Sequence, residues 1–179
     1  ELAKNAEIHE IILHTGQHFD KNMSDIFFEE MEIPTPDYNL NINGLSHGAM
    51  TGQMLEGIEK ICLAEKPDYV MVYGDTNSTI AGALAAKKMG IGVIHIEAGL
   101  RSFNMLMPEE INRIVTDSLT DYFFTTSIYA NENLVKLGVS KSNIFFVGNV
   151  MIDTLLKNES RLKKPDLWED LGLSNKKYL

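Results

Sequence analysis

Short apolar runs alternate with amphipathic stretches along almost the whole chain, and the two carry different periods. Residues 8–14 read as a strand, 21–31 as a helix, and 37–40 as a short strand after the Pro34/Pro36 turn. Ser46 is placed to cap a long helix to about residue 66, with Met50, Met54, Leu55, Ile58 and Ile61 at helical spacing. Pro67 and Asp68 then turn the chain into a strand over 69–73. The series continues with helix 77–88, strand 92–96, helix 108–119, strand 122–125, helix 128–137 closed by Gly138, strand 144–147 and helix 150–157. Strict alternation of strand and helix predicts an α/β fold, a Rossmann-like parallel sheet with helices on both faces.

Length and charge narrow the picture. At 179 residues the chain fits one domain, or one plus part of a second. A globule of that size buries roughly 70% of its unfolded surface and needs no disulfide or metal to hold a core. The single cysteine, Cys62, agrees with a reducing compartment and lies on the apolar stripe Leu55–Ile58–Cys62, which assigns it to packing. A net charge of −9 argues against nucleic-acid and anionic-membrane partners. There is no signal-peptide pattern and no apolar run of membrane-spanning length. The first residues read as mid-helix and the last as the start of a strand, so we expect a piece of a larger protein. Residues 1–157 would form one lobe lacking its first strand, and the charged stretch 158–179 with Pro165 a linker and the start of a second lobe.

The chemistry concentrates where strands end. Tyr69 to Tyr73 stops at Gly74-Asp75-Thr76, and the next strand delivers His95-Ile96-Glu97-Ala98-Gly99-Leu100-Arg101. Adjacent parallel strands end side by side, so Asp75 and Glu97 are predicted to open into one crevice. Asp75 is alternatively a helix N-cap, and Glu97 one half of an ion pair with Arg101 or Arg113. Thr76, Asn77 and Ser78 can cap the following helix, whose free N–H groups favour an anion. His95 and Glu97 fall on one side of the strand by alternation, with Gly99 allowing backbone or ligand to approach. Pro108-Glu109-Glu110-Ile111-Asn112-Arg113 opens a helix, and Glu109 and Arg113, four apart, share a face, an arrangement that alone reads as a surface salt bridge. The loop before it carries Phe103, Met105, Leu106 and Met107, for a pocket or an interface. His14-Thr15-Gly16-Gln17-His18 lacks a second ligand cluster for zinc and reads as donors to a hydroxyl or phosphate. Val147-Gly148-Asn149 reads as a tight turn. No metal and no cofactor are expected.

Taken in order, these motifs resemble the non-hydrolysing UDP-N-acetylglucosamine 2-epimerase family. The matching pieces are His14 to His18, Gly74-Asp75-Thr76, His95 to Arg101, Pro108 to Arg113, and Val147-Gly148-Asn149-Val150-Met151-Ile152-Asp153-Thr154-Leu155. The resemblance implies a GT-B-type fold of two Rossmann-like lobes with the nucleotide sugar between them, this chain being most of the N-terminal lobe. The family's opening strand with its Gly-Thr-Arg-Pro-Glu loop is absent, and so is the C-terminal lobe, so the fragment should not turn over substrate alone. The implied chemistry inverts C2 of the sugar by expelling UDP through a 2-acetamidoglucal and adding it back. Carried over position by position, Asp75, Glu97 and Glu109 match the acid/base candidates and Arg113 the functional arginine. Gln17, His18, Thr76 and Arg101 are assigned to the substrate. The same resemblance implies a cytoplasmic enzyme of cell-surface polysaccharide biosynthesis, a UDP-sugar as partner, and a homodimer when full length.

Two departures qualify the match. The loop Arg101-Ser102-Phe103-Asn104 is shorter than in many bacterial members and is similar to relatives acting on diacetamido-uronic acid sugars. Asp20 stands where substrate-activated members carry a glutamine, and an acid facing a diphosphate is unfavourable, so that activation is expected to be lost. The competing readings are a GT-B glycosyltransferase lobe, a hydrolysing epimerase, and a non-catalytic interaction module.

Overall fold

Val70 and Val72 on one strand, Val93 and His95 on the next, and Phe123 and Thr125 on a third alternate inward, and that alternation builds the central sheet. In the computed structural model, which describes residues 5–17, 33–163 and 167–171, β3 (Tyr69–Tyr73), β4 (Gly92–Ile96), β5 (Tyr122–Thr125) and β6 (Ile144–Phe146) form a four-stranded parallel sheet in that order. A second, two-stranded parallel sheet joins β1 (Leu13–His14) to β2 (Tyr38–Asn39). The predicted strands 8–14 and 37–40 thus shrink to two residues each, because a ladder exists only where both partners run extended together. Asp37 ends the register by spending its side chain on the Ile12 N–H, 2.8 Å away. The predicted helix 21–31, with His18 and Asp20, lies outside the described residues.

Helices α1 (His47–Glu65), α2 (Asn77–Lys88), α3 (Pro108–Leu119) and α4 (Ile128–Lys136) flank the sheets, with α1 packed on α2. Ser46 caps α1 by accepting the Ala49 N–H, as predicted. Met54, Ile58 and Cys62, one turn apart, bury against Ala81 and Ala85 of α2. Each such large apolar side chain contributes roughly 1.5–3 kcal/mol. Burial pushes the Cys62 thiol above its ordinary range. The alanines of α2 let it lie close on the sheet, where Val72, Ala83, Ala86 and Val93 form a second cluster. A third joins Ala98, Phe123 and Leu134 of α4. Gly92 leaves room for the Tyr69 ring to cross β4 and meet Tyr122 edge-on, with ring centres 5.9 Å apart.

The chain divides into two compact units, residues 1–147 and 148–179. The second holds α5 (Val150–Asn158), capped by Asn149, a 3₁₀ turn over Glu159–Arg161, and the short α6 (Leu167–Asp170). Among the described residues no helix is long and apolar enough to cross a membrane.

Candidate active site

Register places Tyr73 of β3 beside Ile96 of β4, so both strands run out together. Each then breaks through a left-handed residue, Gly74 at φ +64° and Glu97 at φ +70°. Glycine adopts that conformation freely, whereas a glutamate there stores strain, and such residues cluster at functional positions. The Glu97 carboxylate comes to 3.6 Å from where a Gly74 side chain would begin, so the two strand ends meet at Gly74. Because β4 stops at Ile96, strand alternation does not place Glu97, and its orientation comes from the turn.

Thr76, not Asp75, caps α2. Its hydroxyl accepts the Thr79 N–H while the Thr79 hydroxyl accepts the Thr76 N–H, a complete capping box. The Asp75 carboxylate is thereby left for another partner, and it takes Arg113. Nε of Arg113 donates to Oδ2 of Asp75 at 2.9 Å, and Nη2 lies 2.8 Å from the same oxygen in an ion pair. Asn112 holds the same residue from behind, donating to its backbone carbonyl at 2.8 Å. The Oδ1 oxygen of Asp75 accepts no hydrogen bond among the described residues.

Arg113 also donates from Nη1 to Glu110, 2.7 Å away and one turn earlier. Glu110 is buried, and its two oxygens further accept the N–H and hydroxyl of Ser102 and the N–H of Phe103. Burial, the largest single influence, pushes the Glu110 carboxyl up, but the donors from Ser102, Arg113 and Phe103 outweigh it and hold the group below its ordinary range. Burial likewise works against the Arg113 charge, and the Glu110 and Asp75 carboxylates overcome it, raising the guanidinium. The partner expected for Arg113 was Glu109, four residues earlier. That glutamate is instead exposed and unpaired among the described residues, because the face of α3 turned to the site runs through Glu110, Arg113 and Asp117.

Of the residues expected to contact substrate, Thr76 is a helix cap and Gln17 sits at the same helix start. The Gln17 side-chain oxygen accepts the Ser78 N–H (3.2 Å) and hydroxyl (3.1 Å), while Thr15 and Ser78 share a 2.7 Å bond. His18 lies outside the described residues. The Arg101 side chain is only 6% exposed, its Nη2 atom 2.7 Å from Asp117. Neither candidate ion pair of Glu97 forms, since Arg101 goes to Asp117 and Arg113 to Asp75 and Glu110. The space left by Gly99 is filled by backbone: a side chain there would lie 2.5 Å from the Ala130 carbonyl of α4. A separate shallow concavity along α4, lined by Ile128, Glu132 and Lys136 among others, contains none of these groups.

The model of one family, described as UDP-N-acetylglucosamine 2-epimerase, matches residues 1–179. The chain belongs to that family. It is 55% identical over 172 residues to a UDP-N-acetylglucosamine 2-epimerase homolog of Methanococcus maripaludis, covering 95% of this chain and 48% of that protein. It is 56% identical over 166 residues to the UDP-2,3-diacetamido-2,3-dideoxy-D-glucuronate 2-epimerase of Pseudomonas aeruginosa, covering 92% and 47%. Among solved structures, the Methanocaldococcus jannaschii UDP-GlcNAc 2-epimerase in complex with UDP-GlcNAc and UDP superposes with a TM-score of 0.88 at 48% identity, covering 95% of this chain and 47% of that one. The chain therefore spans about half the length of the relatives it matches. Its fold is that of the epimerase family, α/β with parallel sheets flanked by helices and the GT-B type of its structural neighbours.

The motifs of this epimerase-family chain single out Asp75, Glu97, Glu109 and Arg113 as candidates and give no role to Glu110, Asn112 and Asp117, which the structure ties to Arg113, Asp75 and His95. A usable signal was present: α3 carries Glu110, Asn112, Arg113, Thr116 and Asp117 on its inward side while Ile111 stays exposed, an inverted amphipathic pattern.

Proposed function

We propose that this chain supplies the proton-transfer side of the active site of an enzyme that epimerises UDP-N-acetylglucosamine at C2. What carries the reading is the Asp75 carboxylate, oriented through one oxygen by Arg113 and set beside Glu97 at adjoining strand ends. In the first half-reaction a carboxylate removes the C2 proton, the C1–oxygen bond to UDP breaks, and a C1=C2 double bond forms. In the second, a proton returns to C2 from the opposite face as UDP re-adds at C1. Two acid/base groups on opposite faces meet that need, and Asp75 and Glu97 are our assignment for them. Arg113 holds the geometry of Asp75, and Glu109, which is exposed, is assigned to assisting the leaving group. General acid–base help contributes about 10²–10⁴-fold, roughly 3–5 kcal/mol, so stabilisation of departing UDP supplies much of the rest. Gln17 and Thr76, at the start of α2, are proposed for the anionic part of the substrate, together with His18. Arg101 fits that role poorly, being buried.

The test uses the full-length protein carrying this segment. Incubated with UDP-GlcNAc in D₂O, it should give UDP-ManNAc with deuterium at C2, read by NMR. Asp75→Asn and Glu97→Gln should each abolish product while remaining folded; near-normal turnover in either refutes the assignment. Release of free N-acetylmannosamine would mark a hydrolysing enzyme instead, and a transferred glycoside a glycosyltransferase. A second substrate, a UDP-diacetamido-glucuronate, is favoured by the 56% identity to the Pseudomonas aeruginosa relative. The ratio of kcat/KM for the two sugars decides between them. A homodimer acting in the cytoplasm on the route to surface polysaccharide completes the proposal, its dimer testable by sedimentation of the full-length protein.

A further inference from the structure

The assigned site stands on a second, fully buried polar network. His95 on β4 has no exposed surface, yet both ring nitrogens face acceptors. Nε2 lies 2.8 Å from the Gly74 carbonyl and Nδ1 lies 2.8 Å from Oδ1 of Asp117 on α3. The other Asp117 oxygen accepts the Gly99 N–H at 3.2 Å and has the Arg101 guanidinium 2.7 Å away, the pattern of an ionised carboxylate. A carbonyl and a carboxylate offer no proton, so a ring hydrogen-bonded to both must donate from both nitrogens. The Gly74 N–H is itself tied to the Ile96 carbonyl at 3.0 Å, so His95 completes the hold on the peptide that leads into Asp75. Through Asp117 the same ring reaches Gly99 and Arg101, just beyond Glu97.

We propose that His95 is a positioning residue, held doubly protonated between Asp117 and the Gly74 carbonyl, which fixes both strand ends that carry the reacting carboxylates. It acts through Gly74 and Asp117 and does not touch substrate. The proposal rests on the site assignment above for its effect on rate, but its proton count stands on geometry alone. The charged groups that face the ring are Asp117 and, beyond it, Arg101. A neutral ring would set a lone pair against one of two acceptors in a site without water contact, a loss expected to be avoided.

The full-length protein with ¹⁵N-labelled histidine rings tests the proton count at neutral pH, the His95 signals being assigned by their absence in His95→Gln. Both nitrogens should appear as N–H; a lone-pair nitrogen at His95 overturns the proposal. His95→Gln, which keeps a single amide donor, should lower kcat about 100-fold with KM little changed, as expected for misplaced reacting groups. A purely structural histidine would lower the melting temperature and leave kcat of the folded protein intact, and that result overturns positioning. Should His95→Gln not fold, Asp117→Asn, which keeps the ring and removes its carboxylate partner, carries the same expectation. Asp75→Asn at wild-type rate would instead remove the site assignment and leave the ring's proton count standing.

Discussion

Glu109 and Glu110 are neighbours in sequence with opposite surroundings, and exchanging each for glutamine should separate stability from activity. At Glu110 one oxygen serves Ser102 and Arg113, the other the Phe103 N–H. A glutamine keeps one carbonyl oxygen, best spent on the crowded side, and turns its NH₂ toward the Phe103 N–H. That leaves a donor against a donor, costing about 1–3 kcal/mol, and weakens the charged bond to Arg113. A total of about 2–4 kcal/mol follows, which at about 3 °C per kcal/mol lowers the melting temperature by roughly 6–12 °C. Glu109 is exposed, so its glutamine variant should stay within about 0.5 kcal/mol of wild type while losing epimerase activity. Thermal melts of both full-length variants, with turnover measured on folded protein, decide it. If Glu109→Gln melts early and Glu110→Gln does not, the pairing described for α3 is wrong.

The acid limb of stability should carry the mark of the same residue. Because the Glu110 carboxyl is held below its ordinary value, its contribution is complete above about pH 4.3 and is lost as pH falls through the lowered native value. Melting temperature followed from about pH 5 to pH 3 should fall less steeply in Glu110→Gln than in wild type; equal slopes would contradict this. Gly99→Ala should destabilise by about 2–5 kcal/mol, combining left-handed strain at φ +78° with a clash 2.5 Å from the Ala130 carbonyl. Gly90→Ala, at φ +76° with nothing within 4 Å, should cost only about 1 kcal/mol, and denaturant midpoints of the two variants give the comparison.

Much of the fold was legible because its signals are local. Strands β3, β4 and β5 and helices α2 and α3 fall on their predicted limits, since alternation, Pro108 at a helix start and a capping threonine are all short-range devices. Strand β1 was overdrawn because an apolar run says nothing about how long its partner is. The position of Asp75 and Glu97 at adjoining strand ends is legible because neighbouring parallel strands run out side by side. Glu109 and Glu110 both lie within one turn of Arg113, and spacing cannot tell which face of α3 turns inward; here that face is the polar one, and it pairs Glu110 with Arg113. His95 and Asp117, 22 residues apart, are joined only by the fold.

The sole tryptophan, Trp168, belongs to the second compact unit, while Asp75, Glu97 and Arg113 belong to the first. Indole fluorescence, the convenient optical probe, therefore reads the surroundings of Trp168 and not the carboxylates themselves. The Tyr69–Tyr122 ring pair packed at Gly92 stands on the sheet whose far strand ends lead into Asp75 and Glu97, so its near-ultraviolet signal follows the unfolding of that sheet.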